Sequence, residues 1–308
     1  MTTRFRRGSV AVAAAALLLL IARIGGADSL TPLEVAYAGS MGSMMDGGIR
    51  PEIAKALGAE LRGRAQGSTG LANLIVAGSI RPDVFIAVTP EPMRIVLAAR
   101  KAMRADPIAR TEMVIAYSGQ SKYAAALGKA GSAGAAPWWR ILQSSGFRFG
   151  RTDPNADPLG LNVIFTMQLA SAYYHQPDLA EKILGQHINP SQIFQEPQLM
   201  ARLQAGQLDA AAAYKTQPSA LGLPFIELPA EINLGHATMA QQYRRASVTL
   251  NGKARRPSPL VFYAAVLNDA PHPALAKRFL GWLNSVPAKR ILTQYRYDTP
   301  GDAVPLMP

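Results

Sequence analysis

The chain has 308 residues, 49% of them hydrophobic, and a formal charge of +12, which excludes a disordered polymer and allows two globular cores. It contains no cysteine, so disulfides, a thiol nucleophile and a lipid on an N-terminal cysteine are all ruled out. The basic balance suits either nucleic acid or the long-range capture of a small anion.

Arg4, Arg6 and Arg7 precede an apolar run over 10–22 and the small residues Gly25, Gly26 and Ala27. That is the layout of a secretory signal peptide over 1–27, cleaved near Ala27. The apolar run is shorter than the roughly 20 residues a spanning helix needs. Removing Arg4, Arg6, Arg7 and Arg23 lowers the charge from +12 to +8. A periplasmic location is expected, and export makes nucleic acid the weaker of the two partners.

Residues 33–38 predict a buried strand running into Gly39-Ser40, and residues 60–66 a second strand running into Gly67-Ser68. Helices are expected near 51–57, over 71–77 and over 90–102, with a continuous apolar strand at 83–88. Strands alternating with helices predict a parallel sheet covered on both faces. Ligands of such sheets bind beyond the carboxyl ends of the strands, where Ser40 and Ser68 fall. A second series begins with a strand at 112–118 and continues through a Gly- and Ala-rich loop at 128–136, a helix at Trp138-Trp139 and a strand at 147–153. A long helix after Asp157, helices at 177–184 and after Glu196, and a strand at 208–214 complete it. Residues 235–258 carry Arg244, Arg245, Lys253, Arg255 and Arg256 without clear periodicity and read as a surface excursion. A strand at 260–267 and helices over 273–285 and 287–295 then return to the first lobe. The expected architecture is α/β with two lobes, 28–111 plus 259–308 and 112–258, joined by two crossovers.

The chemistry gathers at two acids. Asp157-Pro158 and Glu196-Pro197 both read as helix openings, since Asp caps free amides and Pro fits the first helical position. Anions are favoured there. Asp157 is read equally well as a plain cap and as a ligand. Glu caps poorly, so Glu196 needs another reason, and Asp153, before a turn proline, is the alternative carboxylate. Tyr214 closes a buried strand after four alanines. No phosphate-binding glycine loop and no serine-hydrolase elbow occurs. His175, His187, His236 and His272 lack ligand spacing, so no histidine-built metal site is expected.

Taken in order, Ala38-Gly39-Ser40-Met41, Gly67-Ser68-Thr69, the run 113–123, Asp153-Pro154-Asn155-Ala156-Asp157-Pro158-Leu159-Gly160, Glu196 and Tyr214-Lys215 resemble segments of the periplasmic substrate-binding proteins of ABC importers. Within them the segments resemble those of the molybdate- and tungstate-binding group, although Leu159 stands where that family usually has a cysteine. The resemblance implies a type II periplasmic binding protein fold, two Rossmann-like lobes with a ligand cleft between them. It also implies a site in which Ser40, Ser68 and Tyr214 donate hydrogen bonds. Asp157 and Glu196 would ligate the molybdenum or tungsten of the bound oxoanion and raise its coordination from four to six. Further expectations are an ABC permease as partner, no catalysis, no cofactor beyond the transported oxoanion, no nucleic acid, and a monomer. The rivals are a binding protein for another small anion such as sulfate, and a secreted hydrolase using Asp157 and Glu196 as acid and base.

Overall fold

An uninterrupted apolar strand can be buried only where both faces of its sheet are covered. Val84–Val88 (β3) is such a strand: Val84, Ile86 and Val88 enter one hydrophobic core, and Phe85 and Ala87 enter a second. It pairs in parallel with Thr31–Ala38 (β1), matching Val35 to Val84 and Tyr37 to Ile86. It pairs antiparallel with Val261–Val266 (β11), matching Ala264 to Ile86. Ala59–Gln66 (β2) and Asp106–Arg110 (β4) are the edges, giving the order β2-β1-β3-β11-β4. The smaller sheet contains Met113–Tyr117 (β5), Phe149–Gly150 (β6), Ala210–Tyr214 (β7) and Phe225–Glu227 (β8), in the order β6-β7-β5-β8.

This computed structural model describes Met1 and residues 30–308; the expected signal peptide over 1–27 lies, Met1 apart, outside the described residues. Pro32–Pro308 form one compact unit, and within it the chain crosses between the sheets twice, after Arg110 and before Val261. Both sheets are mixed, which corrects the expectation of parallel pairing. Parallel neighbours such as β1 and β3 need a helical crossover between them. The strands on which the chain changes sheet, β5 and β11, run antiparallel to their neighbours instead. Periodicity does not reveal β4, an edge strand carrying Asp106, Pro107 and Arg110, or β8, which is only three residues long.

The excursion expected over 235–258 contains a hairpin, Val248–Leu250 (β9) with Lys253–Arg255 (β10). It turns through Asn251 (φ 51°) and Gly252 (φ 71°). An Asn-Gly pair with both φ angles positive is the two-residue turn whose twist matches the strands it joins. That dipeptide is the sequence signal which periodicity passes over. No helix among the described residues is long and apolar enough to cross a membrane.

The 16-residue helix Pro158–Tyr173 is buried around most of its circumference from Pro158 to Ala170, as a helix enclosed by other elements must be. It packs on β7, whose four alanines, 210–213, are fully buried and leave room for close approach. Gly160 lets the loop before this helix fold back on its first turn. A Cβ at Gly160 would stand 2.5 Å from Thr152 O and 2.6 Å from Asp153 C and Pro154 N, all of them backbone atoms. Gly160→Ala is therefore expected to destabilise the protein by about 3 kcal/mol, because the crowded atoms cannot rotate away. Urea unfolding measures this, and an unchanged midpoint would refute the fold-back.

Candidate functional site

Ser40 lies in the turn Gly39–Met41 directly after β1, and Ser68 opens the helix Ser68–Val76 after β2. Asp157 is the N-cap of the helix Pro158–Tyr173, its Oδ1 accepting from the Leu159 amide at 2.9 Å. Glu196 is the first residue of the helix Glu196–Gln204, with Gln195 in the cap position. The two proline-marked helix starts thus differ by one residue in where they place the acid. Tyr214 ends β7.

All five side chains are buried: Ser40 is 6% exposed, Ser68 1%, Asp157 5%, Glu196 4% and Tyr214 0%. They are also brought to one place. Gly39 packs so closely on Glu196 that an added Cβ would stand 2.9 Å from its Cδ. Gly67 packs on Asp157 in the same way, with an added Cβ 3.1 Å from the Asp157 Cβ. The Gly70 amide donates to the Ala156 carbonyl at 3.1 Å. The turns that carry the two serines, from the larger sheet, therefore abut the two helix starts that carry the acids, from the smaller. Gln217 ties the last two members together, donating from Nε2 to Glu196 Oε1 at 3.2 Å and accepting at Oε1 from the Tyr214 amide at 2.9 Å. Asp153 is engaged locally instead: its Oδ1 accepts from the Asn155 amide at 2.8 Å and makes the turn.

The hydroxyl groups keep donor capacity. Tyr214 Oη accepts from Asn162 Nδ2 at 3.0 Å and Ser68 Oγ accepts from the Val88 amide at 3.3 Å, so in each the hydroxyl proton remains to donate. Ser40 Oγ is buried without a hydrogen-bond partner among the described residues, an arrangement that a bound acceptor would relieve. Tyr297, near the C-terminus, fixes the Ser40 turn by donating from Oη to the Ser40 carbonyl at 3.2 Å.

Burial pushes the Glu196 carboxyl well above its ordinary range, and the charge of Asp157 pushes it further; the Ser40 and Gly39 amides pull it partly back. Burial likewise pushes Asp157 up to about 6, against the lowering effect of the Leu159 amide and the Thr152 hydroxyl. Tyr214 is raised by burial and then by both acids. Two other acids are as deeply buried but locked. Asp209 accepts from Arg148 Nη2 at 2.8 Å and from Ser121 Oγ at 2.7 Å. Asp83 accepts from the Glu34 amide at 2.9 Å and lies 3.2 Å from His272 Nδ1. Among the described residues Asp157 and Glu196 form no ion pair. Nor does any group of three or more His, Asp or Glu residues among them suit a metal ion.

Gln217, Asn162, Tyr297, Gly39 and Gly67 complete the site and were not singled out from sequence. The two glycines carried a signal, each standing directly before a site serine; the other three have none.

Two mixed α/β sheets joined by two crossings, with a buried cluster of hydroxyls and carboxyls where their loops meet, define a two-lobed binding protein of the periplasmic type. The chain belongs to the bacterial extracellular solute-binding protein family, whose profile matches residues 33–298. It is 30% identical over 266 residues to an uncharacterized solute-binding protein of Halobacterium salinarum, a match covering 85% of this chain and 82% of that one. The molybdate/tungstate-binding protein WtpA of Pyrococcus abyssi is 33% identical over 211 residues, 62% of this chain. There the chain spans only 60% of the relative's length. Among solved structures the periplasmic molybdate-binding protein of Azotobacter vinelandii shares the fold, with a TM-score of 0.58 at 15% identity over 86% of this chain and 98% of that one.

An unfolded aspartate gives up its proton near 3.8 and Asp157 in the folded chain only near about 6. Stability therefore falls as pH rises through that window and stays lower above it. Asp157→Asn keeps an acceptor for the Leu159 amide. It is expected to flatten the pH dependence and to be more stable than the parent at neutral pH by about 1 to 3 kcal/mol. Urea titrations of both proteins across the window check this, and a variant-minus-parent difference that stays constant with pH would refute it.

Proposed function

We propose that the protein captures molybdate or tungstate at this site and hands it to a membrane permease of the ABC type, without catalysing a reaction. The observation that carries the reading is the pair of buried carboxyls, Asp157 and Glu196, uncompensated by any cation among the described residues and set among neutral donors. A carboxylate facing a dianion out of water is repelled by several kcal/mol, so two acids at an anion site need a chemical reason. Carboxylate oxygens are hard ligands suited to a hard, high-valent centre. Four oxo groups together with Asp157 and Glu196 make such a centre six-coordinate, while Ser40, Ser68 and Tyr214 donate to the oxo groups. The central atoms of sulfate and phosphate do not expand in this way, so selection operates by bonding capacity as well as size. The name of the Pyrococcus relative supports the same ligand.

The protein acts in the periplasm as a monomer after removal of residues 1–27. Its lobes comprise 28–111 with 259–308 and 112–258, and they close on the ligand by a hinge at the two crossings. A second reading draws on the raised carboxyls: protonated, Asp157 and Glu196 would be O–H donors to a sulfate-like anion with no bond to its central atom.

Calorimetric titration with tungstate, molybdate, sulfate and phosphate separates the two. Tungstate and molybdate are expected to bind and the other two not, and Glu196→Gln is expected to weaken tungstate by about 100-fold. X-ray absorption at the metal edge should report six ligands. Tightest binding of sulfate would overturn the proposal in favour of the second reading.

A further inference from the structure

The five site side chains are at most 6% exposed, so an anion reaches them only when a covering element moves. Beside the site lies a cavity of about 250 Å³. Part of its wall is the start of the helix Pro158–Tyr173, through Pro158 and Asn162, the residue that bonds Tyr214 Oη. A second part is Thr89, directly after the Val88 amide that bonds Ser68. Thr89 is held at φ 66° and ψ 157°, a conformation that a β-branched residue adopts only when its surroundings impose it. The third part is the β9–β10 hairpin, through Leu250, Asn251 and Arg255.

The hairpin belongs to neither main sheet. Its base is tied to the long helix by two bonds of Gln168, which donates to the Ser247 carbonyl and accepts from the Ser247 amide, each at 3.0 Å. Arg256 Nη1 adds a bond to the Arg244 carbonyl at 2.6 Å. Those three bonds are exposed, but the base is also seated by buried Val248 and partly buried Leu250, whereas the tip has one exposed bond, Asn251 Nδ2 donating to Asn155 Oδ1 at 3.0 Å. Asn155 is two residues before Asp157. A firm base, a lightly held tip and a cavity beneath are the parts of a flap. The cavity wall carries Arg255 and Arg256 against a single acid, Glu91, and this net positive charge attracts anions.

We propose that the β9–β10 hairpin is a gate, that the cavity under it is the vestibule through which the oxyanion passes, that the Asn251–Asn155 bond is its latch and that Arg255 draws the anion in. The inference rests on the oxyanion reading of the site. It is separate from lobe closure, because Asn155 and Asn251 both lie on the stretch 112–258 and their bond does not restrain one lobe against the other.

The test compares the full chain with Asn251→Gly, Asn155→Ala and Arg255→Gln. Glycine suits the positive φ of the turn, and Asn155→Ala breaks the same bond without touching the hairpin. Release of radiolabelled tungstate into an unlabelled excess gives the dissociation rate, calorimetry the affinity, and labelled uptake at two ionic strengths the association rate. Both latch variants are expected to speed association and dissociation by about threefold, the factor one exposed hydrogen bond supplies, with the affinity within about twofold. Arg255→Gln is expected to slow association and to weaken its dependence on salt. Unaltered rates in the latch variants, or a faster release matched by an equal loss of affinity, would overturn the gate and leave the oxyanion site standing. A parent chain that binds no tungstate would overturn that site and the gate with it.

Discussion

Asp157 and Glu196 are brought together by helix starts far apart in the chain, and among the described residues neither has a cation to offset its charge. Burial favours the protonated form of both, the charge of Asp157 adds to it at Glu196 and that of Asp153 at Asp157, and the two carboxyls respond by rising above their ordinary ranges. What keeps the arrangement folded is a set of neutral donors. The Leu159 amide reaches Asp157, and Gln217 with the Gly39 and Ser40 amides reaches Glu196. The contrast with Asp209, buried but held by the half-exposed guanidinium of Arg148, is instructive, since a chain able to set a cation on one buried carboxylate has set none on this pair among the described residues.

The two sheets exist, in this view, to bring four chain segments to a point. Loops at the carboxyl ends of β1 and β2 approach from one sheet, and the helix starts at Asp157 and Glu196 approach from the other. The approach is so close that the residues before the two serines can carry no side chain, and Gly39 and Gly67 occupy them. Gln217 then holds Glu196 and the Tyr214 amide with one side chain, so the helix start at Glu196 and the end of β7 are tied through it.

Some of this was legible in the sequence for definite physical reasons. Small residues directly after expected strands marked the turns at Ser40 and Ser68, and Asp-Pro marked the cap at Asp157 because few other pairs suit that position. Glu196 stood out as a poor cap before a proline. The family resemblance, which rests on the order of these short motifs, carried the two-lobed fold. Burial and partnership were not legible, because they depend on which distant segment arrives. Nothing near Gln217, Asn162 or Tyr297 announces a partner, and alternation within a strand does not say whether its neighbour is parallel. The mixed pairing of β5 and β11 and the short edge strand β8 were lost for that reason. The β9–β10 hairpin was lost for another: its strands are three residues each, and its signal lay in Asn251-Gly252 and not in any periodicity.

The position of β11 has a consequence for the order in which the molecule can be assembled. It is inserted between β3 and β4, so the larger sheet has a gap until a segment more than 150 residues downstream of β4 arrives. Tyr297 then braces the turn at Ser40 across a separation of 257 residues. A chain delivered N-terminus first therefore keeps that sheet divided until β11 arrives, and the turn at Ser40 stays unbraced until Tyr297 follows.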